Sequence, residues 1–259
     1  MHELLSNFNF YFLLVAAFSA GFIDAIVGGG GLIQLPAFFL AFPSIAPAVI
    51  LGSNKFASFS GTSVATVGYL RKRPVKWQAV LPAVITALVF SMIGAHLVSL
   101  FDKNLLKPFV LVLLILVAIY TFFKKELGLT QKKGVEGIQI TIASLLAGAL
   151  LGLYDGFFGP GTGSFLILIY ISVFGFDFLD ASVSAKVINC ATNAAALCYF
   201  IYTGNIRFDL AIPVAICNMI GSFLGVRMAL LKGSGFVRVL FLIVVSGMIL
   251  KFAWDIFYK

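Results

Sequence analysis

Residues 21–33 read GFIDAIVGGGGLI, and residues 152–165 read GLYDGFFGPGTGSF. Both pieces lie inside long apolar stretches. Both place an aspartate shortly before a glycine run, and the two aspartates, Asp24 and Asp155, are 131 positions apart. At that offset the chain matches itself without a gap: Gly21, Gly28 and Gly30 fall on Gly152, Gly159 and Gly161, Lys55 on Lys186, Pro82 on Pro213, Ser91 on Ser222, and Gly94 on Gly225. Glycine matches carry little weight in a chain with 25 glycines. Matches of Asp and Lys carry far more, because ionisable residues are costly and rare in apolar segments. The chain is therefore read as one unit used twice: a first repeat at residues 1–124, a basic linker at 125–137 and a second repeat at 138–259.

Composition sets the environment. Of 259 residues, 61% are hydrophobic and 11% charged, with a mean hydropathy of +1.08. A soluble domain is nearer a quarter charged, so this chain lacks the polar surface to cover a globule in water. Apolar runs long enough to span a ~30 Å hydrocarbon core recur from end to end. The net charge of +8 collects in short connections such as Arg71, Lys72 and Arg73, and Lys124, Lys125, Lys132 and Lys133. That is the signature of loops on the cytoplasmic side of a membrane, not of a nucleic-acid surface. Cys190, Cys198 and Cys217 lie in apolar segments without metal-ligand spacing and read as buried packing residues. The N-terminus has no basic region and no small-residue cleavage site, so the first apolar segment is expected to stay in the membrane.

In the first repeat the expected helices are 10–27 and 32–42, split by the four glycines, then 46–70, 77–100 and 105–123. In the second they are 138–158 and 165–174, split by Gly-Pro-Gly-Thr-Gly, then 180–202, 208–231 and 236–257. No period-two alternation is present, which excludes barrel strands. Residues 10–42 as one straight helix would run about 50 Å, too long for a single span. A helical hairpin is the natural solution, because four glycines carry almost no helix propensity. A hairpin plus three spans gives each half an odd number of crossings, so the expected architecture is an all-α polytopic protein with two inverted repeats. Basic-residue placement does not separate an inverted from a parallel arrangement, so the length argument carries the choice.

Asp24, Lys55, Asp155 and Lys186 lie within or beside the broken hairpins. Unpartnered, four such charges would cost on the order of 10 kcal/mol. They are read either as two structural Asp–Lys pairs, one per repeat, or as parts of a binding site. A helix starting after Gly31 or after Gly163 presents free N–H groups and its positive end, which suits an anion. Lys186, Asn189 and Asn193 share one helical face, and Lys55, Ser58 and Thr62 form the matching stripe. The candidate binding residues are Lys55, Lys186, Asn54, Asn189, Asn193, Gly30, Gly31, Gly161, Thr162 and Gly163, with Asp24 and Asp155 positioning the lysines or carrying a coupled proton. Gly148/Gly152 and Gly221/Gly225 are expected to bring helices into close contact.

Gly28-Gly29-Gly30-Gly31-Leu32-Ile33, followed by Gly52-Ser53-Asn54-Lys55, resembles the first-half signature of the TauE/SafE family of sulfite-exporter-like (TSUP) transporters. The stretch from Tyr154 to Phe165, with Ala185-Lys186-Val187-Ile188-Asn189, resembles that family's second signature more closely. Ser53 departs from the threonine usual before Asn-Lys. The resemblance covers nearly the whole chain. It implies a bacterial inner-membrane transporter of sulfur-containing anions such as sulfite, thiosulfate or sulfonates. The residues themselves lead only to a small anion near mid-membrane.

An enzyme is not indicated: the two histidines, His2 and His96, build no catalytic or zinc motif, and no P-loop or dinucleotide fingerprint is present. No cofactor or metal is expected. The expected partners are a small anionic substrate and the lipid bilayer, with no nucleic acid; a homo-oligomer is compatible with the sequence. The alternatives are an anion channel and a non-transporting membrane receptor for such an anion.

Overall fold

A computed structural model describes residues 8–97, 129–131 and 133–257, the positions 245, 248, 249 and 251–257 by backbone only. Among them every regular element is a helix: α1 (Phe8–Val27), α2 (Gly31–Ala41), α3 (Pro47–Leu70), α4 (Trp77–Leu97), α5 (Ile138–Phe157), α6 (Thr162–Ser172), α7 (Phe178–Tyr202) and α8 (Phe208–Phe257). The expected helix at 105–123, the end of the 77–100 segment and most of the linker lie outside the described residues. Helix ends follow local chemistry. Pro47 occupies the first turn of α3, where its missing N–H costs nothing. The Asp177 carboxylate caps α7 by accepting from the Asp180 N–H at 2.8 Å. The expected gap between 231 and 236 is a single residue, Gly233, whose φ of +71° breaks α8 into two helical pieces.

The glycine breaks do what the sequence predicts, with one shift. Gly28 ends α1: its N–H donates to the Asp24 carbonyl at 2.9 Å and its φ is +76°, a backbone open to glycine and strained for other residues. The helix α6 begins at Thr162 instead of 165, because left-handed Gly161 caps it and leaves Thr162 free to be helical. The chain then doubles back. The Val135 N–H, just before α5, donates at 3.0 Å to the Val173 carbonyl, just after α6.

Polar and apolar residues are distributed inside out relative to a soluble protein. Ser53, Asn54, Lys55, Thr62, Ser184, Lys186, Asn189, Thr192 and Asn193 are buried. Leu81, Ile85 and Val89 of α4, Leu146 and Leu150 of α5, and Ile212, Ile216 and Phe223 of α8 point outward. Water would penalise that arrangement, and hydrocarbon favours it. Four helices (α1, α4, α5 and residues 208–244 of α8) are long and apolar enough to cross a membrane. The chain is a multi-pass integral membrane protein. The helices α3 and α7 fall outside that set because they carry the two lysine-led polar stripes.

The close helix contacts expected at the glycines are present. A β-carbon on Gly148 would lie 2.2 Å from the Ala83 carbonyl oxygen, and one on Gly221 would lie 2.0 Å from that of Phe18. Thus α5 lies backbone to backbone against α4, and α8 against α1, with α3 and α7 packed on each other between them. The cysteines depart from their expected burial: Cys198 is exposed, and Cys190 and Cys217 are only half-buried. The end of α3 is tied to α1 by the fully buried Tyr69, whose hydroxyl donates to the Ala25 carbonyl at 3.0 Å. Tyr69→Phe is expected to cost about 1–1.5 kcal/mol, read as a lower unfolding temperature in detergent with transport retained.

Candidate functional site

The two breaks meet at the centre of the molecule. A β-carbon on Gly28 would lie 2.3 Å from the Gly163 carbonyl carbon, so these backbones are in direct contact. Two hydroxyls lock the junction: Ser164 donates to the Val27 carbonyl at 2.8 Å, and Ser182 of α7 to the Ile26 carbonyl at 3.0 Å. Both carbonyls belong to the last turn of α1, whose own backbone partners end at the break.

Beside this junction the four ionisable residues form two ion pairs. Lys55 Nζ lies 2.9 Å from Asp155 Oδ2, and Lys186 Nζ lies 2.6 Å from Asp24 Oδ2. Pairing within each repeat, one of the two readings of the sequence, is not what occurs: each pair joins a residue of the first half to one of the second. The reason is packing. With α3 against α7, each lysine reaches across to the other half's hairpin. Lys55 also donates to Asn193 Oδ1 at 3.1 Å, and Asn193 in turn donates to Asn189 Oδ1 at 3.2 Å. Two of the three N–H donors of the Lys55 ammonium are thereby engaged.

These groups line a partly open cavity of about 30 Å³, room for a ligand of a few heavy atoms only. Of the sequence candidates, Asp24, Gly31, Asn54, Lys55, Asp155, Gly161, Gly163, Asn189 and Asn193 line it, as does Ser58. Three candidates lie behind the wall. Lys186 is fully buried against Asp24. The Gly30 N–H donates to Asp24 Oδ1 at 3.3 Å and holds that carboxylate from behind. Thr162 Oγ1 donates to the Gly159 carbonyl at 2.7 Å and fixes the second break. Thr62 likewise turns back to the Ser58 carbonyl at 2.7 Å. The side-chain oxygen of Asn54 is buried in the cavity wall without a partner among the described residues. A buried acceptor is rarely left so unless a donor from outside the protein completes it.

Sequence reasoning missed the apolar walls, Leu51, Phe157, Phe158 and Phe200. A signal existed for two of them. Leu51 is one turn before Lys55, and Phe200 two turns beyond Asn193, so each extends a polar stripe already read as facing inward.

A family model described as sulfite exporter TauE/SafE matches residues 13–252. A probable membrane transporter protein, ORF9, of a Sinorhizobium species is 34% identical over 94% of this chain and 92% of its own length. Another from Haemophilus influenzae is 33% identical over 94% of each chain. The probable membrane transporter protein YfcA of Escherichia coli K12 is 32% identical over 94% of this chain and 89% of its own. No solved structure matches the chain. With a family match that spans both glycine breaks and both lysine stripes, the chain belongs to the sulfite exporter TauE/SafE family and is a membrane transporter, not an enzyme.

Proposed function

We propose that this transporter is an alternating-access carrier of a small sulfur-containing anion (sulfite, thiosulfate or an organosulfonate) in a bacterial inner membrane. One observation carries the anion reading: the central cavity presents a buried ammonium with an uncommitted donor beside two helix starts. Lys55 supplies the charge. The backbone around Gly31, Gly161 and Gly163 supplies N–H groups and the positive ends of α2 and α6. Asn54, Asn189 and Asn193 orient the oxyanion, while Lys186 and Asp24 hold the opposite wall. The family's description as sulfite exporters supports the sulfur assignment.

The carrier reading rests on an inverted repeat with domain bounds at 1–124 and 138–259. Helix positions recurring at the same offset support it: Gly31–Ala41 matches Thr162–Ser172, and the starts Pro47 and Trp77 match Phe178 and Phe208. Crossed ion pairs support it too, because exchanging the roles of the two halves exchanges one pair for the other. Rocking of one half against the other would then open the site alternately to each side.

Flux into proteoliposomes tests the reading, with sulfite, thiosulfate, methanesulfonate, sulfate and chloride as the panel. Saturable uptake of a sulfur anion is expected, with no unitary currents in bilayer recording. Equal permeation by chloride, or channel currents, would count against a carrier for sulfur anions.

A further inference from the structure

The crossed pairs carry a consequence for what must move with the anion. The four central side chains, Asp24, Lys55, Asp155 and Lys186, sum to zero charge, and each lysine already touches a carboxylate. The elements around Asp155 do not alter that sum. From α1 comes Asp24, from α3 Lys55, and from α7 Lys186. Tyr154 of α5 donates to the Pro160 carbonyl at 2.7 Å, Tyr69 of α3 to Ala25, and Tyr170 of α6 to Ala79. From α4 the titratable residue is His96, in its last turn against the Tyr199 ring. An anion arriving at Lys55 thus enters a neutral site, not a positive one.

Asp155 is the group that the arrival disturbs. It is 2% exposed, and its cation is the same ammonium the anion would engage. Asp24 is placed differently: Lys186 holds it from outside the cavity, and the Gly30 N–H adds a second donor. A buried carboxylate that loses its only cation is neutralised by a proton instead of staying charged.

Building on the cavity as an anion site, we infer that each univalent anion binds together with one proton, and that Asp155 receives it. The anion takes the Lys55 ammonium, the Lys55–Asp155 pair opens, and the proton bonds to a carboxylate oxygen of Asp155. Charge balances: an ammonium–carboxylate pair plus X⁻ and H⁺ becomes an ammonium–X⁻ pair plus a neutral carboxyl. Movement of the loaded carrier then takes anion and proton the same way across the membrane. A pH gradient drives the anion toward the alkaline side.

Calorimetry on the full chain in detergent tests this, with methanesulfonate and thiosulfate as probes. Both are anions of strong acids, with fixed charge where carboxyl groups and histidine titrate. Repeating each titration in buffers of different ionisation enthalpy counts the protons taken up. About one proton per methanesulfonate is expected, at least one per thiosulfate, and affinity rising up to tenfold per unit fall in pH. Binding of either anion with no proton uptake overturns the inference and leaves the anion site standing. Binding of neither overturns both. Asp155→Asn locates the proton: its affinity is expected to lose its pH dependence, whereas Asp24→Asn keeps it. The reverse pattern overturns the assignment to Asp155. Should Asp155→Asn not fold, loss of the pH dependence in Asp24→Asn alone still overturns it.

Discussion

Lys55→Met is expected to reduce anion affinity by about a hundredfold or more, the effect of removing a buried charged donor from a charged ligand. The same substitution strips Asp155 of its cation, and an unpaired buried charge costs about 3–5 kcal/mol. Loss of transport in the single variant could therefore reflect either a lost ligand contact or a damaged fold. The double variant Lys55→Met/Asp155→Asn separates the two. With both charges gone, stability is expected to return most of the way toward the parent, because the two effects act on one interaction. Transport is expected to stay absent. Unfolding temperature and proteoliposome flux, measured on the parent, both single variants and the double variant, complete the comparison. A double variant that folds and transports normally would make Lys55 a structural residue. Lys186→Met is expected to act mainly on stability, because that lysine lies behind the cavity wall against Asp24.

Gly28→Val is expected to prevent assembly of the fold altogether. Two costs coincide at this position. The φ of +76° is a left-handed conformation that a β-branched residue adopts only under strain. The added carbon would also fall between 2.3 and 2.6 Å from three backbone atoms of Gly163 and Ser164, where no flexible side chain can give way. Because the two hairpins touch there, pushing them apart would also break the Ser164 bond to the Val27 carbonyl and the Ser182 bond to the Ile26 carbonyl. The expected readout is loss of the monodisperse peak in size-exclusion chromatography. Gly235→Val is the matched control, since a β-carbon there meets open space. Equal behaviour of the two variants would mean that the junction tolerates separation.

Much of this architecture is legible in the amino-acid order, and the reasons are local. Apolar runs of spanning length exclude water as the solvent whatever the tertiary arrangement. Glycine runs break helices because of backbone freedom, so the breaks at 28–31 and 159–163 could be placed before any contact was known. Gly161 moved one boundary by three residues, because its left-handed turn lets Thr162 and Gly163 join the helix instead of the break. The lysine stripes were equally visible, since period and polarity are properties of the helix alone.

What the sequence could not contain was which charge meets which. Asp24 and Lys55 belong to one half, as do Asp155 and Lys186, and pairing within a half is the simplest expectation from the order of residues. Only the packing of α3 against α7 carries each lysine across to the other half's hairpin. The same packing makes the two lysines unequal, leaving Lys55 in the cavity wall and sealing Lys186 behind Asp24. By itself, then, the sequence determined the solvent, the helices, their breaks and the residue types available for a site. The tertiary structure decided the partners of those residues and their access to the cavity. Ion pairing and enclosure depend on distances between segments far apart in the chain, and no local periodicity encodes those distances.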